Sequence, residues 1–279
     1  MTERPAARAD LVLTLTNVKA ERIKKVAALA GRSARSRAGA VLVEGPQAVR
    51  EAVTYAAERV RDLYLTEQAL ERYPEIADRA LEAERFVHVG TPEVLAAMSK
   101  DARGVVAVLD DAGTSLDVVI DAKPTLVAVL SNVRDPGNAG TVIRAADAAG
   151  ADAIVLVGEC VDISNPKVIR ATAGSIFHLP VVRSLPFEDA LAELSGAGLR
   201  LLAADGSGEV TLGGDSADAS ALSVPTAWVF GNEAWGFSDD ELALVDDVVR
   251  IPIYGRAESL NLSTAASVCL YASAQAQQS

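Results

Sequence analysis

No stretch of this chain is apolar for the roughly 18 to 20 residues that a membrane-spanning helix needs. Met1 to Asp10 also lacks the apolar core of a secretory signal. The expectation is a cytoplasmic protein that does not enter a membrane. Cysteine is almost missing: Cys160 and Cys269 lie far apart with no C-x-x-C spacing, which excludes a disulfide framework and a zinc site and leaves both as buried small apolar residues. Histidine is as rare, with only His88 and His178. Without clustered ligands no catalytic metal is expected, and both histidines read as structural rather than as bases for a nucleophile. The fingerprints G-x-G-x-x-G after a strand, G-x-x-x-x-G-K-[ST] and G-x-S-x-G are absent too. Their absence argues against a Rossmann-type nucleotide enzyme, an ATPase and a serine hydrolase.

Half of the 279 residues are apolar, enough for a packed core, and the length suits two domains. The net charge of −12 argues against nucleic acid only if the charges are evenly spread. They are not. Residues 1–50 hold 10 Lys/Arg against 4 Asp/Glu, whereas residues 111–279 hold 9 against 22. Most of the basic excess lies between Lys19 and Arg37, where Lys19, Arg22, Lys24, Lys25, Arg32, Arg35 and Arg37 accompany one acid, Glu21. A solvated helix face followed by a flexible basic loop explains this run as well as an RNA-binding surface does.

Asn17 is placed to cap a helix running to Ala30, with Ile23, Val26 and Leu29 inward and Gly31 as its stop. Strands at Val41–Val43, Leu63–Leu65, Phe86–Val89 and Val105–Leu109 then alternate with helices near Pro46–Ala57, Glu75–Glu84 and Pro92–Met98. This predicts a small α/β domain over 10–110. Residues 111–124 read as a linker. A second α/β domain, 125–279, has strands at Leu126–Leu130, Ala153–Val157, Leu179–Val182, Leu199–Ala204, Ala227–Phe230 and Val248–Ile251, several of them continuous apolar runs as in buried parallel sheets. Its helices fall near Asn138–Gly150, Pro186–Leu194, Ser238–Val245 and Asn261–Gln275. The stretch from Asp205 to Ser223, rich in Gly, Ser and Ala, reads as a surface loop without chemistry.

Three loops after strands of the second domain carry polar residues that folding alone does not require, and such loops are where α/β sheets bind ligands. In Ser131–Arg144, Asp135-Pro136-Gly137 makes a turn, Asn138 is placed to cap the following helix, and Arg144 lies almost two turns along it. Gly231-Asn232-Glu233-Ala234-Trp235-Gly236 follows the strand ending at Phe230, its glycines leaving backbone groups open to a ligand. The third, Ile251 to Ser263, ends a strand at Pro252 and enters the last helix through Ser259 and Asn261. Singly, each is ordinary: a cap, a surface arginine, a glycine turn.

Together and in this order they resemble the three motifs of the SpoU/TrmH family of RNA 2′-O-methyltransferases, in the SPOUT superfamily, over about 125 to 275. The Asn138-to-Arg144 spacing, Gly231-Asn232-Glu233 and Ser259-Leu260-Asn261-x-Ser263 carry the likeness, and the Asn165 to Ser175 segment resembles another shared stretch. The first domain, through Val43-Glu44-Gly45, resembles the ribosomal-protein-like RNA-binding module of many members.

The resemblance implies a parallel-sheet catalytic domain with a C-terminal trefoil knot, and a homodimer formed through it. It implies S-adenosylmethionine as cofactor, held at Gly231, Ile251, Pro252 and Leu260, and methyl transfer to a ribose 2′-hydroxyl of RNA, by analogy ribosomal RNA. Arg144, Asn138, Glu233, Ser259 and Asn261 are the implied catalytic set. Neutralising a free arginine at pH 7 costs about 8 kcal/mol, which favours Arg144 as an orienting and charge-stabilising group over a literal base. Lys167 and Arg170 join Lys24, Lys25, Arg32, Arg35 and Arg37 as RNA contacts. The alternative is a catalytically silent RNA-binding protein of the same fold.

Overall fold

The computed structural model describes residues 7–214 and 222–278. The chain divides into two compact units, Met1–Ala112 with Asp162–His178, and Gly113–Val161 with Leu179–Ser279.

In the first unit, β1 (Leu13–Leu15), β2 (Ala40–Glu44), β3 (Val60–Leu65), β4 (Phe86–Gly90) and β5 (Val105–Asp110) form a mixed sheet in the order β1-β4-β3-β5-β2. Successive side chains of a strand point to opposite faces, so each strand feeds two cores. Val41, Val43, Leu63, Leu65 and Ala107 face a layer that includes α3 (Pro46–Tyr55) and α5 (Pro74–Glu82). Leu42, Tyr64, Val106 and Val108 face α1 (Glu21–Ala28) and α6 (Pro92–Met98). The predicted strands and helices are present; β1 and α4 (Glu67–Arg72) are additions, too short for a periodic signal.

Two local expectations change. Asn17 forms a turn with the amide of Lys19 at 2.9 Å while Ala20 occupies the cap of α1. The supposed basic loop is a helix, α2 (Arg32–Ala38), which Gly31 caps and Gly39 ends at φ +53°. Both histidines contact carboxylates of the first unit: His88 Nε2 lies 2.7 Å from Asp62 and His178 Nε2 3.2 Å from Glu51.

The domain boundaries also shift. The supposed linker contains α7 (Leu116–Asp121), whose Leu116 and Val119, three residues apart on one helical face, are buried in the second unit's core. Conversely, Asp162–His178, including α9 (Pro166–Ala171), folds with the first unit, where Ile169 enters the core beside Val41 and Val43. In sequence this segment lies within the expected second domain, 125–279.

In the second unit, β6 (Leu126–Ser131), β7 (Ala153–Val157), β8 (Val181–Leu185), β9 (Arg200–Ala204), β10 (Val210–Thr211), β11 (Thr226–Phe230) and β12 (Asp247–Arg250) pair in parallel, in the order β10-β12-β9-β11-β6-β7-β8. One face packs on α7 and α10 (Phe187–Gly196). The other packs on α8 (Pro136–Ala148) and on the last helix, α12 (Leu262–Gln277), which follows the short α11 (Asp239–Leu242). On that face the buried Trp228 indole donates to Ser273 Oγ at 2.9 Å. Strand β10 lies inside the expected surface loop; the loop's residues 215–221 are outside the described residues. No helix among the described residues is long and apolar enough to cross a membrane.

Candidate functional site

Register brings the C-terminal ends of β6, β11, β9 and β12 to one edge. Leu130 and Ala204 both pair with Phe230, and Ala204 also pairs with Val249. The four loops leaving this edge surround a cavity of about 470 Å³ lined by Asn138, Asp205, Gly231, Glu233, Ile251, Ser259, Leu260 and Asn261, among others. That is the crevice at strand ends where open parallel sheets bind ligands.

Side-chain amides lock the loops together. Asn132, at φ +54°, accepts the Glu159 amide at 2.9 Å, and its carbonyl accepts the buried Asn232 Nδ2 at 2.7 Å. Asn232 Oδ1 in turn accepts the Ala234 amide at 2.8 Å, so one asparagine closes its own turn and ties it to the loop after β6. Gly231 admits no side chain: a Cβ there would stand 2.9 Å from the Phe237 ring and 3.0 Å from the Gly236 carbonyl.

Asn138 connects all three blocks. Its Nδ2 donates to Glu233 Oε1 at 2.8 Å and its Oδ1 accepts from Asn261 Nδ2 at 3.1 Å. Asn261 Oδ1 caps α12 through the Ser263 amide at 2.9 Å. The helix cap assigned to Asn138 belongs instead to Asp135, which accepts the Asn138 amide at 2.7 Å. The side chain of Asn138 is thereby left free to bridge.

The lining holds three carboxylates, Asp205, Glu233 and Glu258, and, among the described residues, no lysine or arginine. Phe237, Ile251, Ile253 and Leu260 supply apolar wall. Cys160 is half-buried rather than buried; burial above all raises its pKa, and its Sγ donates to the Leu130 carbonyl at 3.2 Å. No group of His, Cys, Asp and Glu among the described residues is arranged to hold a metal ion.

Residues 125–271, more than half of the chain, match the SpoU rRNA Methylase family. The chain belongs to that family. Residues 20–105 match the MRM3-like substrate binding domain. This SpoU family member is 30% identical to the 23S rRNA (uridine(2479)-2′-O)-methyltransferase of Streptomyces viridochromogenes, over 88% of this chain and 86% of the relative. The solved SpoU methyltransferase AviRb from Streptomyces viridochromogenes, in complex with AdoMet, superposes with a TM-score of 0.78 at 31% identity, covering 92% of this chain and 98% of that one. The AdoMet-bound rRNA methyltransferase from Sinorhizobium meliloti gives 0.78 at 27% identity, with 94% and 97% covered.

Within the SpoU family member, Asn138, Glu233, Ser259 and Asn261 meet at the cavity, and Gly231, Ile251 and Leu260 line it. Two residues of the expected site lie outside this lining. Pro252 is not among the lining residues, whereas Ile251 and Ile253 on either side of it are. Arg144 is exposed on α8 and also absent from the lining: six residues past Asn138 it has turned to another face of the helix. Asp205 and Gly206, in a loop assigned no chemistry, do line the cavity. A carboxylate directly after the apolar strand β9 was the available signal.

Of the expected RNA contacts, Lys24, Lys25, Arg32, Arg37 and Lys167 are exposed, with Lys24 bound to Glu21 at 3.0 Å. Arg35 is not. It is 4% exposed and spends its guanidinium on the carbonyls of Leu29 and Ala30 and on Asp162 at 2.5 Å, so it fastens α2 and the 162–178 segment. Arg170 is engaged by Glu44 and, at 2.7 Å, by Asp101.

Proposed function

We propose that this SpoU family member is an S-adenosylmethionine-dependent methyltransferase that modifies a ribose 2′-hydroxyl of ribosomal RNA. The observation that carries it is the Asn138 bridge, which joins the three blocks at one cavity. The cavity fits the cofactor in size, in its apolar walls and in charge, since three carboxylates with no lysine or arginine among the described lining residues favour a cationic sulfonium. When bound, the cofactor supplies an electrophilic methyl group.

The protein's own tasks are alignment and charge. Glu233, fixed by Asn138, and Ser259 at the rim are the polar groups positioned to orient a hydroxyl for in-line attack. Gly231, Ile251 and Leu260 hold the cofactor. An acidic cavity repels phosphates, so RNA needs cations from outside it, and this is the role assigned to Arg144.

Arg144 works from a second copy of the chain in this reading. On α8 the exposed residues Thr141, Arg144 and Ala148 make one stripe, and on α12 Thr264, Val268, Tyr271 and Gln275 make another. The helices pack together, and the Tyr271 hydroxyl donates to the Ala148 carbonyl at 3.2 Å. Val268 and Tyr271, 39% and 45% exposed, suit a homodimer interface in which each copy presents Arg144 to its partner's cavity. The trefoil knot belongs to the same reading: after β12 at one side of the sheet the chain returns through residues 251–261, and α12 packs against α8, β6 and β11.

The silent alternative predicts eroded motifs, whereas every member of the bridge is present and bonded. Calorimetry with S-adenosylmethionine, followed by mapping of 2′-O-methyl groups in ribosomal RNA from cells with and without the gene, tests the proposal. Cofactor binding and one lost methyl position support it; no cofactor binding leaves the silent module.

A further inference from the structure

The first unit contains a cavity whose charge is opposite to that of the catalytic one. It measures about 470 Å³ and is lined by Arg72, Lys100 and Arg103 with Tyr73, Thr66 and Pro46, and no carboxylate among the described residues lines it. In a chain with 38 Asp/Glu against 26 Lys/Arg, such a segregation is not what a random surface hollow offers.

Two acids near them in sequence are paired with other arginines: Asp101 binds Arg170 at 2.7 Å and Glu75 binds Arg50 at 2.9 Å. The three cations are exposed, and no ion pair holds any of them among the described residues. Arg72 is instead steadied by an aromatic face, its guanidinium carbon 5.4 Å from the Tyr73 ring centroid. Arg103 takes φ +48°, a left-handed conformation that favours glycine, directly before Gly104 at φ +81°. Pro46 begins α3, and the cap residue Gly45 has no side chain to accept the first amides of that helix.

We infer that this cavity is where the first unit grips its RNA, with Arg72, Lys100 and Arg103 neutralising successive phosphodiesters. The inference rests on the proposed RNA substrate and names the surface that meets it. The basic run from Lys19 to Arg37 is then secondary, having lost Arg35 to the interior and Lys24 to Glu21.

The test uses the full-length protein and unmodified ribosomal RNA transcribed in vitro. The combined variant Arg72→Gln, Lys100→Gln, Arg103→Gly removes three charges and puts glycine where the backbone favours it, which limits damage to folding; a thermal melt checks this. Expected are an affinity reduced roughly tenfold or more at low salt and a slope of log affinity against log salt lower by about two. The cofactor dissociation constant stays at the wild-type value, and Lys100→Arg alone retains wild-type binding. A comparison variant, Lys25→Gln with Arg32→Gln and Arg37→Gln, loses less. If the cavity variant keeps the wild-type slope while wild type binds and methylates RNA, the site is wrong and the functional reading stands. If wild type neither binds nor methylates RNA, both fall.

Discussion

Asn138 and Glu233, 95 residues apart in sequence, are joined by a hydrogen bond of 2.8 Å between the amide nitrogen of one and a carboxylate oxygen of the other. Replacing Asn138 by Ala removes this bond and the one from Asn261, so that the loops after β11 and β12 lose their common partner. Turnover is expected to fall roughly 100-fold with little change in melting temperature. Asn138→Asp fares no better, because it sets a second carboxylate against Glu233. Single-turnover methyl transfer measures the effect; turnover within twofold of wild type for both variants contradicts the bridge.

The acidic lining makes a prediction about charge. Methyl transfer converts the cationic sulfonium to a neutral thioether, so the carboxylates should favour the donor over its demethylated product. Asp205→Asn and Glu258→Gln are each expected to weaken S-adenosylmethionine by about three- to tenfold, S-adenosylhomocysteine less, with the difference shrinking in high salt. Calorimetry with both ligands provides the comparison.

Arg144→Ala should abolish transfer, with a loss on the order of 100-fold or more, while cofactor affinity is kept, because the residue does not line the cavity of its own chain. Mixing inactive Arg144→Ala with inactive Asn261→Ala chains should restore up to about a quarter of wild-type activity if two copies share each site. No recovery in verified mixed dimers places Arg144 in its own chain's chemistry and rejects the shared site.

Ser273→Ala leaves the indole N–H of Trp228 buried without an acceptor, at a cost of about 1–3 kcal/mol. The melting temperature should drop by roughly 2–6 °C. Scanning calorimetry decides it, and an unchanged transition means the hydrogen bond contributes nothing net.

Burial pushes the Cys269 thiol up to about 12. The folded state thus retains a proton that the unfolded chain releases near pH 8.5, so this contribution to stability is complete below about pH 8.5 and declines as pH rises toward 12. Urea denaturation at several alkaline pH values should show a decline that Cys269→Ala makes shallower. Equal slopes for the two proteins remove Cys269 as a source.

The strands of the second unit were legible because a parallel sheet covered on both faces reads as apolar runs, and Leu126–Leu130, Ala153–Val157 and Ala227–Phe230 are observed within a residue of their expected bounds. The order of the blocks was legible too, since Asn138, Glu233 and Asn261 each follow such a run. What each side chain does there was not. A capping role is local and was assigned to Asn138, but capping by Asp135 frees it for partners that only strand register brings near.

The first unit shows the same division. Composition revealed its basic excess and its α/β alternation, both properties of short windows of sequence. Folding alone withdrew Arg35 into the interior, moved Asp162–His178 into this unit and gathered Arg72, Lys100 and Arg103 around one cavity. Those three are scattered over 32 residues among acids, so no window displays them as a cluster. Charge along a chain is fixed by sequence; which charges face the same space depends on the turns after α4, after α6 and before β5, and on the pairing of acids elsewhere.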